Sequence, residues 1–258
     1  MGSSGGSTRD ERSLRLVRLP PRSSSSRAAS TSVYEVQGAL TPDACSRARD
    51  AVSECFDQGR TTDRGVSLPT QDVMVSSLPQ RSQDEIREAL ELTAKRVSRE
   101  LTGVTLEFAM SRAFVIVYDA ARQKGLKKHT DGRKEGATLL LLISKPNSDF
   151  EGGGTRFFPS VLESSFDAKP AWGSTIVFPS DTLQHEGIPI KRGRRLLVCV
   201  FATKKKIGGS ALDNSSAKYA ATQPAKGTEK SPYHSKKIGG AIMNDDQVLS
   251  QECACAIS

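Results

Sequence analysis

Two of the three histidines in the chain lie where they could bind a metal ion. His129, Thr130 and Asp131 place an imidazole and a carboxylate two residues apart. On an extended strand, residues i and i+2 project from the same face, so both groups can reach one ion. His185 lies at a predicted turn before an apolar segment and can supply a third ligand. Two imidazoles and one carboxylate on one side of a six-coordinate metal leave three positions open.

An arginine lies nine residues after His185, where the chain enters an apolar strand. The segment Gly193-Arg194-Arg195 leads directly into Leu196–Ala202. A cation buried in such a strand is costly unless an anion pairs with it. The planar guanidinium binds a carboxylate through two parallel hydrogen bonds. The spacing therefore predicts Arg194 as an anion-binding residue inside the fold, although Lys191, Arg192 and Arg195 lie close by.

These motifs occur in an order that resembles a known family. The resemblance is to the 2-oxoglutarate and Fe(II)-dependent dioxygenases, and within them to the prolyl 4-hydroxylase-like branch. It is strongest over residues 112–202, and residues 36–45 are similar to that branch's entry into its first helix. The matching positions are Tyr118, His129-Thr130-Asp131, Phe150-Glu151-Gly152-Gly153-Gly154-Thr155-Arg156-Phe157, Gly173-Ser174-Thr175-Ile176-Val177-Phe178, His185-Glu186-Gly187 and Gly193-Arg194.

The resemblance implies a fold, a cofactor set and a reaction. The fold would be a double-stranded β-helix, or jelly roll, with His129, Asp131 and His185 as iron ligands. Arg194 would bind the distal carboxylate of 2-oxoglutarate, and Tyr118 would line the same pocket unless it is a core tyrosine. With O2 as the second cosubstrate and ascorbate as reductant, the enzyme would hydroxylate a C–H bond and release succinate and CO2. Its substrate would be a protein or peptide side chain, or a small molecule.

One departure from the family pattern and two rival functions remain. Many prolyl hydroxylases carry a cosubstrate-binding tyrosine in the strand after the first histidine, whereas Ala137–Ile143 offers only the hydroxyl of Thr138. This puts a prolyl substrate in doubt. The non-enzyme rival is a catalytically inactive double-stranded β-helix that serves as a binding or scaffold module. The other rival is a cupin-like metal enzyme that uses no cosubstrate.

The elements that would position these residues change in period along the chain. Thr41 and Pro42 predict a helix start, and Gly59 its end, while a second helix is predicted over 83–101. Short β-rich segments follow, separated by glycine, proline, asparagine and aspartate. The prediction is a mainly β barrel or sandwich supported by N-terminal helices, over residues 33–203. The predicted strands are Phe108–Tyr118, Ala137–Ile143, Thr155–Phe158, Gly173–Phe178 and Arg194–Ala202.

Most of the net charge of +8 lies at the two ends of the chain. Residues 1–32 carry six arginines against two acidic residues, and residues 204–258 carry eight lysines against five acidic residues. The middle is close to neutral, which argues against a specific nucleic-acid-binding surface. Both ends are predicted to be disordered. The five cysteines form no CxxC pair and predict buried free thiols in a reducing compartment.

The two ends also carry targeting patterns. Cys255-Ala256-Ile257-Ser258 fits a prenylation signal with Cys255 as the acceptor, which predicts a cytoplasmic protein weakly attached to a membrane. The arginine- and serine-rich start predicts organelle import as the alternative. The longest apolar runs are too short for a transmembrane helix, which needs about 20 residues.

Overall fold

A computed structural model describes residues 14–19, 32–63, 70–101, 103–132, 136–159 and 164–206. Cys255, most of the two predicted disordered ends and the targeting patterns lie outside the described residues. None of the helices that the structure describes is both long and apolar enough to cross a bilayer.

Two helices pack against one face of a large sheet. Helix α1 spans Pro42–Asp57, and the side chain of Thr41 caps it by accepting a hydrogen bond from the Ala44 amide at 3.1 Å. Helix α2 spans Gln80–Ser98, so it begins and ends three residues earlier than predicted. Ile86, Leu90 and Val97 form its buried face, as their helical spacing predicts.

The described strands are all paired in antiparallel fashion and form two sheets. The larger sheet has the order β1-β2-β12-β8-β14-β6-β4-β3, with β5 and β9 also paired to β14. The smaller sheet has the order β11-β10-β13-β7. The strands are β1 Arg15–Leu19, β2 Val33–Gln37, β3 Thr62–Asp63, β4 Gln71–Met74, β5 Val104–Phe108, β6 Phe114–Asp119, β7 Leu126–His129, β8 Gly136–Leu142, β9 Phe150–Gly152, β10 Thr155–Phe158, β11 Phe166–Ala168, β12 Thr175–Pro179, β13 Gln184–Gly187 and β14 Ile190–Lys206.

The larger sheet is buried on both faces. Leu139, Val198 and Val200 pack with the helices, whereas Phe178 and Leu140 pack with Phe157 of the smaller sheet. Strands covered on both faces read as continuous apolar runs, which is why β8 and β14 show no alternation in the sequence. The prediction of a mainly β jelly roll with supporting helices is confirmed.

The boundaries of the ordered region differ from those predicted. Strand β1 lies within the predicted disordered arm and pairs residue by residue with β2. Leu16 packs against the core on the helix side and Leu19 against the core between the sheets, while Arg15 and Arg18 hide this apolar pattern in the sequence. Strand β14 also continues through Lys206, beyond the predicted boundary at residue 203. The predictions that residues 1–32 and 204–258 are disordered throughout are therefore wrong for these two segments.

Candidate metal centre

The smaller sheet brings His129, Asp131 and His185 together. His129 ends strand β7, Asp131 follows two residues later, and His185 lies on β13 directly opposite His129 in the antiparallel register. The two imidazole rings lie 4.4 Å apart between centroids. Antiparallel pairing thus joins two residues that are distant in the sequence, and the segment that follows β7 adds the carboxylate.

The three side chains turn their ligand atoms towards one point. The ligand atoms all lie within 4.8 Å of one another. Asp131 Oδ1 is 3.6 Å from His129 Nε2 and 3.8 Å from His185 Nε2. Two imidazole nitrogens and one carboxylate oxygen on one side of a site suit a divalent first-row transition metal, Fe(II) among them.

Backbone carbonyl groups fix which nitrogen of each ring is free. His129 Nδ1 donates to the Lys127 carbonyl oxygen at 2.7 Å, and His185 Nδ1 donates to the Leu183 carbonyl oxygen at 3.1 Å. Because a carbonyl oxygen only accepts, each Nδ1 carries the proton and each Nε2 keeps its lone pair. This arrangement orients an imidazole ligand towards a metal.

The charges of the triad depend on burial and on one another. Burial opposes ionisation of Asp131, but the nearby imidazoles of His129 and His185 and the hydrogen bond from Thr138 hold the pKa of this carboxyl below its usual value. Burial lowers the pKa of His185, although Asp131 opposes the shift. Burial also acts to lower the pKa of His129, but the neighbouring Asp131 carboxylate and the hydrogen bond to the Lys127 carbonyl raise it overall.

A cavity of about 260 Å³ lies between the two sheets and includes the triad. Half of its lining residues are alternate residues of β6, β8 and β14, and most of these are apolar. The lining residues are Thr70, Phe114, Ile116, Tyr118, Leu126, His129, Thr130, Asp131, Thr138, Leu140, Thr155, His185, Gly187, Leu197, Cys199 and Phe201.

A buried arginine, Arg195, lies next to Thr155 and Tyr118, two residues that line this cavity. Arg195 is 1% exposed, and its guanidinium donates to the Gly154 carbonyl oxygen at 2.9 Å and to Thr155 Oγ1 at 3.5 Å. It also lies 5.6 Å from the centre of the Tyr118 ring. Among the residues that the structure describes, no carboxylate pairs with it. Burial lowers the pKa of Arg195 to about 10 and raises that of Tyr118 to about 12.

Arg194, predicted to lie in the cavity, points to the opposite side of β14. Its guanidinium pairs with Asp119 and Asp57, each at 2.8 Å, and stacks on the Phe56 ring of α1. Successive residues of a strand face opposite sides, so Arg195 shares the cavity face with Leu197, Cys199 and Phe201. The structure therefore places Arg194 on the face of β14 that is turned away from the cavity, and Arg195 on the opposite face. Both faces of β14 are apolar, so the sequence offers no alternation that could have distinguished the two arginines.

Part of this domain matches a known family along its sequence. Residues 113–203 match the model of the 2OG-Fe(II) oxygenase superfamily. This segment runs from the start of β6 almost to the end of β14 and contains the triad, the cavity-lining strands and Arg195. The resemblance predicted from the motifs is confirmed.

Relatives with known names agree with this match. Human procollagen-lysine,2-oxoglutarate 5-dioxygenase 2 is 32% identical over 91 residues, which are 34% of this chain but 11% of that protein. A Trichoplax adhaerens prolyl hydroxylase, solved with a hypoxia inducible factor peptide, superposes with a TM-score of 0.54 at 16% identity, over 66% of this chain and 83% of that one. A Pseudomonas putida prolyl-4-hydroxylase gives 0.51 at 19% identity, over 69% and 96%. The two structures show a shared fold, and the chain spans about a tenth of the curated relative's length.

Proposed function

We propose that this protein is an Fe(II)- and 2-oxoglutarate-dependent dioxygenase that hydroxylates a C–H bond. The observation that carries the proposal is Arg195, a buried cation next to Thr155 and Tyr118, which line the same cavity as the triad. Burying a cation without a carboxylate partner is unfavourable, so the site favours an anionic ligand. 2-Oxoglutarate has a carboxylate at each end and would satisfy Arg195 while its other end reaches the metal.

The chain's own residues would hold and enclose these groups. His129, Asp131 and His185 would bind Fe(II), and Arg195 would bind the distal carboxylate of 2-oxoglutarate. Iron bound at this site would couple O2 reduction to conversion of 2-oxoglutarate to succinate and CO2, with hydroxylation of the substrate. Leu140 and Leu197 would exclude water from the cosubstrate. The Tyr118 hydroxyl would stay protonated and could donate a hydrogen bond to it.

The proposed substrate is a side chain of a protein or peptide, with a small molecule as the alternative. Support comes from the prolyl hydroxylase fold and from the procollagen-lysine dioxygenase similarity. In β8 the interior-facing positions after Thr138 are Leu140 and Leu142, so no tyrosine there assists the cosubstrate as in many prolyl hydroxylases. Ascorbate is proposed as the reductant that maintains Fe(II).

Succinate formation with Fe(II), 2-oxoglutarate and ascorbate tests the proposal directly. Wild-type protein should consume 2-oxoglutarate, and a pool of peptides should gain 16 Da by mass spectrometry. Asp131→Ala should abolish both signals, whereas Asp167→Ala, which removes an exposed partner of Arg156 on the outer side of β10, should retain them. Absence of metal and 2-oxoglutarate binding by the wild-type protein would overturn the proposal.

A further inference from the structure

Thr138 binds the carboxylate of the triad from the neighbouring sheet. It lies on β8, is 1% exposed and donates its hydroxyl to Asp131 Oδ2 at 2.5 Å. A hydroxyl bound to an ionised carboxylate at this distance forms a charge-assisted bond, which is stronger than a neutral one. The hydroxyl that the sequence offered as a possible cosubstrate contact is therefore already engaged by Asp131.

The main chain of Asp131 is also tied to the larger sheet. The Asp131 amide donates to the Ser180 carbonyl oxygen at 2.9 Å, and the Ser180 amide donates to the Gly136 carbonyl oxygen at 3.3 Å. Gly136 begins the strand that carries Thr138. The backbone and the side chain of Asp131 are thus both held relative to β8.

The two oxygens of Asp131 consequently face different partners. Oδ2 accepts from Thr138, while Oδ1 lies 3.6 and 3.8 Å from the two Nε2 atoms. Phe178 and Phe201 flank Thr138 on the neighbouring strands, and its β-branched side chain has few rotamers to choose from. Rotation of the carboxylate would break the Thr138 bond in a place that water reaches poorly.

We propose that Thr138 is a positioning residue that restricts Asp131 to binding the metal through one oxygen. This inference rests on the proposed function. Carboxylates bind metals through one or two oxygens, and a second oxygen would occupy one of three positions opposite the triad. Two of those positions are needed for 2-oxoglutarate and one for O2. Thr138 thereby keeps the open side of the site available without touching the metal.

The test compares Thr138→Val, which keeps the shape and removes the hydroxyl, with Thr138→Ser, which keeps the hydroxyl. Co(II) is the probe, and its dissociation constant and visible absorption spectrum are measured without turnover. Thr138→Val should bind Co(II) about 10- to 100-fold more weakly, as is usual when the partner of a metal ligand is removed. Its spectrum should change, while Thr138→Ser should resemble the wild type.

Thr175→Val is the matched control. Thr175 is a fully buried threonine on β12 that bonds to Thr93, outside the cavity lining, so its loss should leave Co(II) binding unchanged. Wild-type affinity and spectrum in Thr138→Val would overturn the proposal, and so would equal loss in Thr138→Ser and Thr138→Val, which would indicate a packing effect. Thr138→Ala replaces the valine variant if that variant does not fold.

The outcome for Thr138 is separable from the outcome for the proposed function. Weakened Co(II) binding in Thr138→Val, with retention in Thr138→Ser, would support the positioning role even if wild-type protein forms no succinate with Fe(II). That second result would overturn only the hydroxylase function. A wild-type protein that binds no Co(II) would overturn both.

Discussion

At the scale of single residues, two adjacent arginines of β14 have different partners, and only Arg195 is suited to bind an anionic ligand. Arg194 and Arg195 are adjacent, but one makes ion pairs with α1 and β6 and the other has only neutral partners among the described residues. A cation that is already paired with carboxylates of the protein gains little from binding an anionic ligand. A buried cation with neutral partners gains most from binding an anion.

Replacing Arg195 by Ala should therefore impair cosubstrate binding. The expected result is an increase of about 10- to 100-fold in the KM for 2-oxoglutarate, since a hydrogen bond to a charged group contributes about 1.5–3 kcal/mol. Steady-state succinate formation at varied 2-oxoglutarate concentration measures the effect.

Arg194→Ala is the control for that experiment. It removes an adjacent arginine of the same strand and should change the KM for 2-oxoglutarate less than about twofold. Its cost to stability should be below about 1 kcal/mol, because its ion pairs are partly exposed. A larger rise in KM for Arg194→Ala than for Arg195→Ala would show that Arg194, and not Arg195, binds 2-oxoglutarate.

At the scale of elements, the start of the long strand β14 depends on one glycine. Gly193 has φ of 76°, and a Cβ atom added there would lie 1.9 Å from the Asp149 carbonyl oxygen. This close approach lets β9 pair with β14 just before Arg194 and Arg195. The orientation of both arginines therefore depends on a contact that only glycine permits.

Gly193→Ala should destabilise the protein by about 2 kcal/mol or more, because the substitution adds a steric clash to an unfavourable φ. Gly38→Ala is the matched control. Gly38 has φ of 72° but no atom within 4 Å of an added Cβ, so its cost should be about 1 kcal/mol. Urea denaturation gives both values, and equal destabilisation by the two variants would contradict the clash.

The edge strand β1 is a second element whose contribution can be measured. Leu14 is buried, and Leu16 and Leu19 pack against opposite faces of the larger sheet. A chain that begins at Val33 should have a lower midpoint of thermal unfolding than one that begins at Leu14, because it exposes these apolar contacts and the edge of β2. Equal midpoints by calorimetry would show that β1 adds no stability.

At the scale of the whole molecule, the triad connects metal binding to the stability of the fold. His129 and His185 lie on paired strands of the smaller sheet, and Thr138 attaches Asp131 to the larger one. A metal that binds only the folded arrangement stabilises it by mass action. Bound metal should therefore resist separation of the two sheets.

Co(II) at about 100 times its dissociation constant should stabilise the wild-type protein by about 2.7 kcal/mol. Thermal unfolding of the protein after treatment with a chelator, with and without added Co(II), measures the shift. His129→Ala should show little or no shift, while His234→Ala, which replaces the remaining histidine of the chain, should behave like the wild type. An equal shift in His129→Ala would place the metal elsewhere.

The sequence by itself determined which residues form the metal site, but it did not determine which way every side chain near the site points. The spacing of His129 and Asp131, with His185 before an apolar strand, predicted one metal centre because residue type and strand geometry are local properties. The mainly β fold followed from short apolar segments between turn residues. The sequence also predicts an anion-binding arginine at the start of β14, but it indicates Arg194 and not Arg195.

Only the tertiary structure decided which arginine faces the cavity, where the ordered region begins and what Thr138 does. β14 is apolar on both faces, so its register became visible only through pairing with β6 and β8. β1 is ordered because its backbone pairs with the edge strand β2 and its leucines pack against two apolar clusters. Thr138 meets Asp131 because two sheets pack face to face. Each of these contacts joins separate segments, and local sequence patterns do not encode which segments will meet.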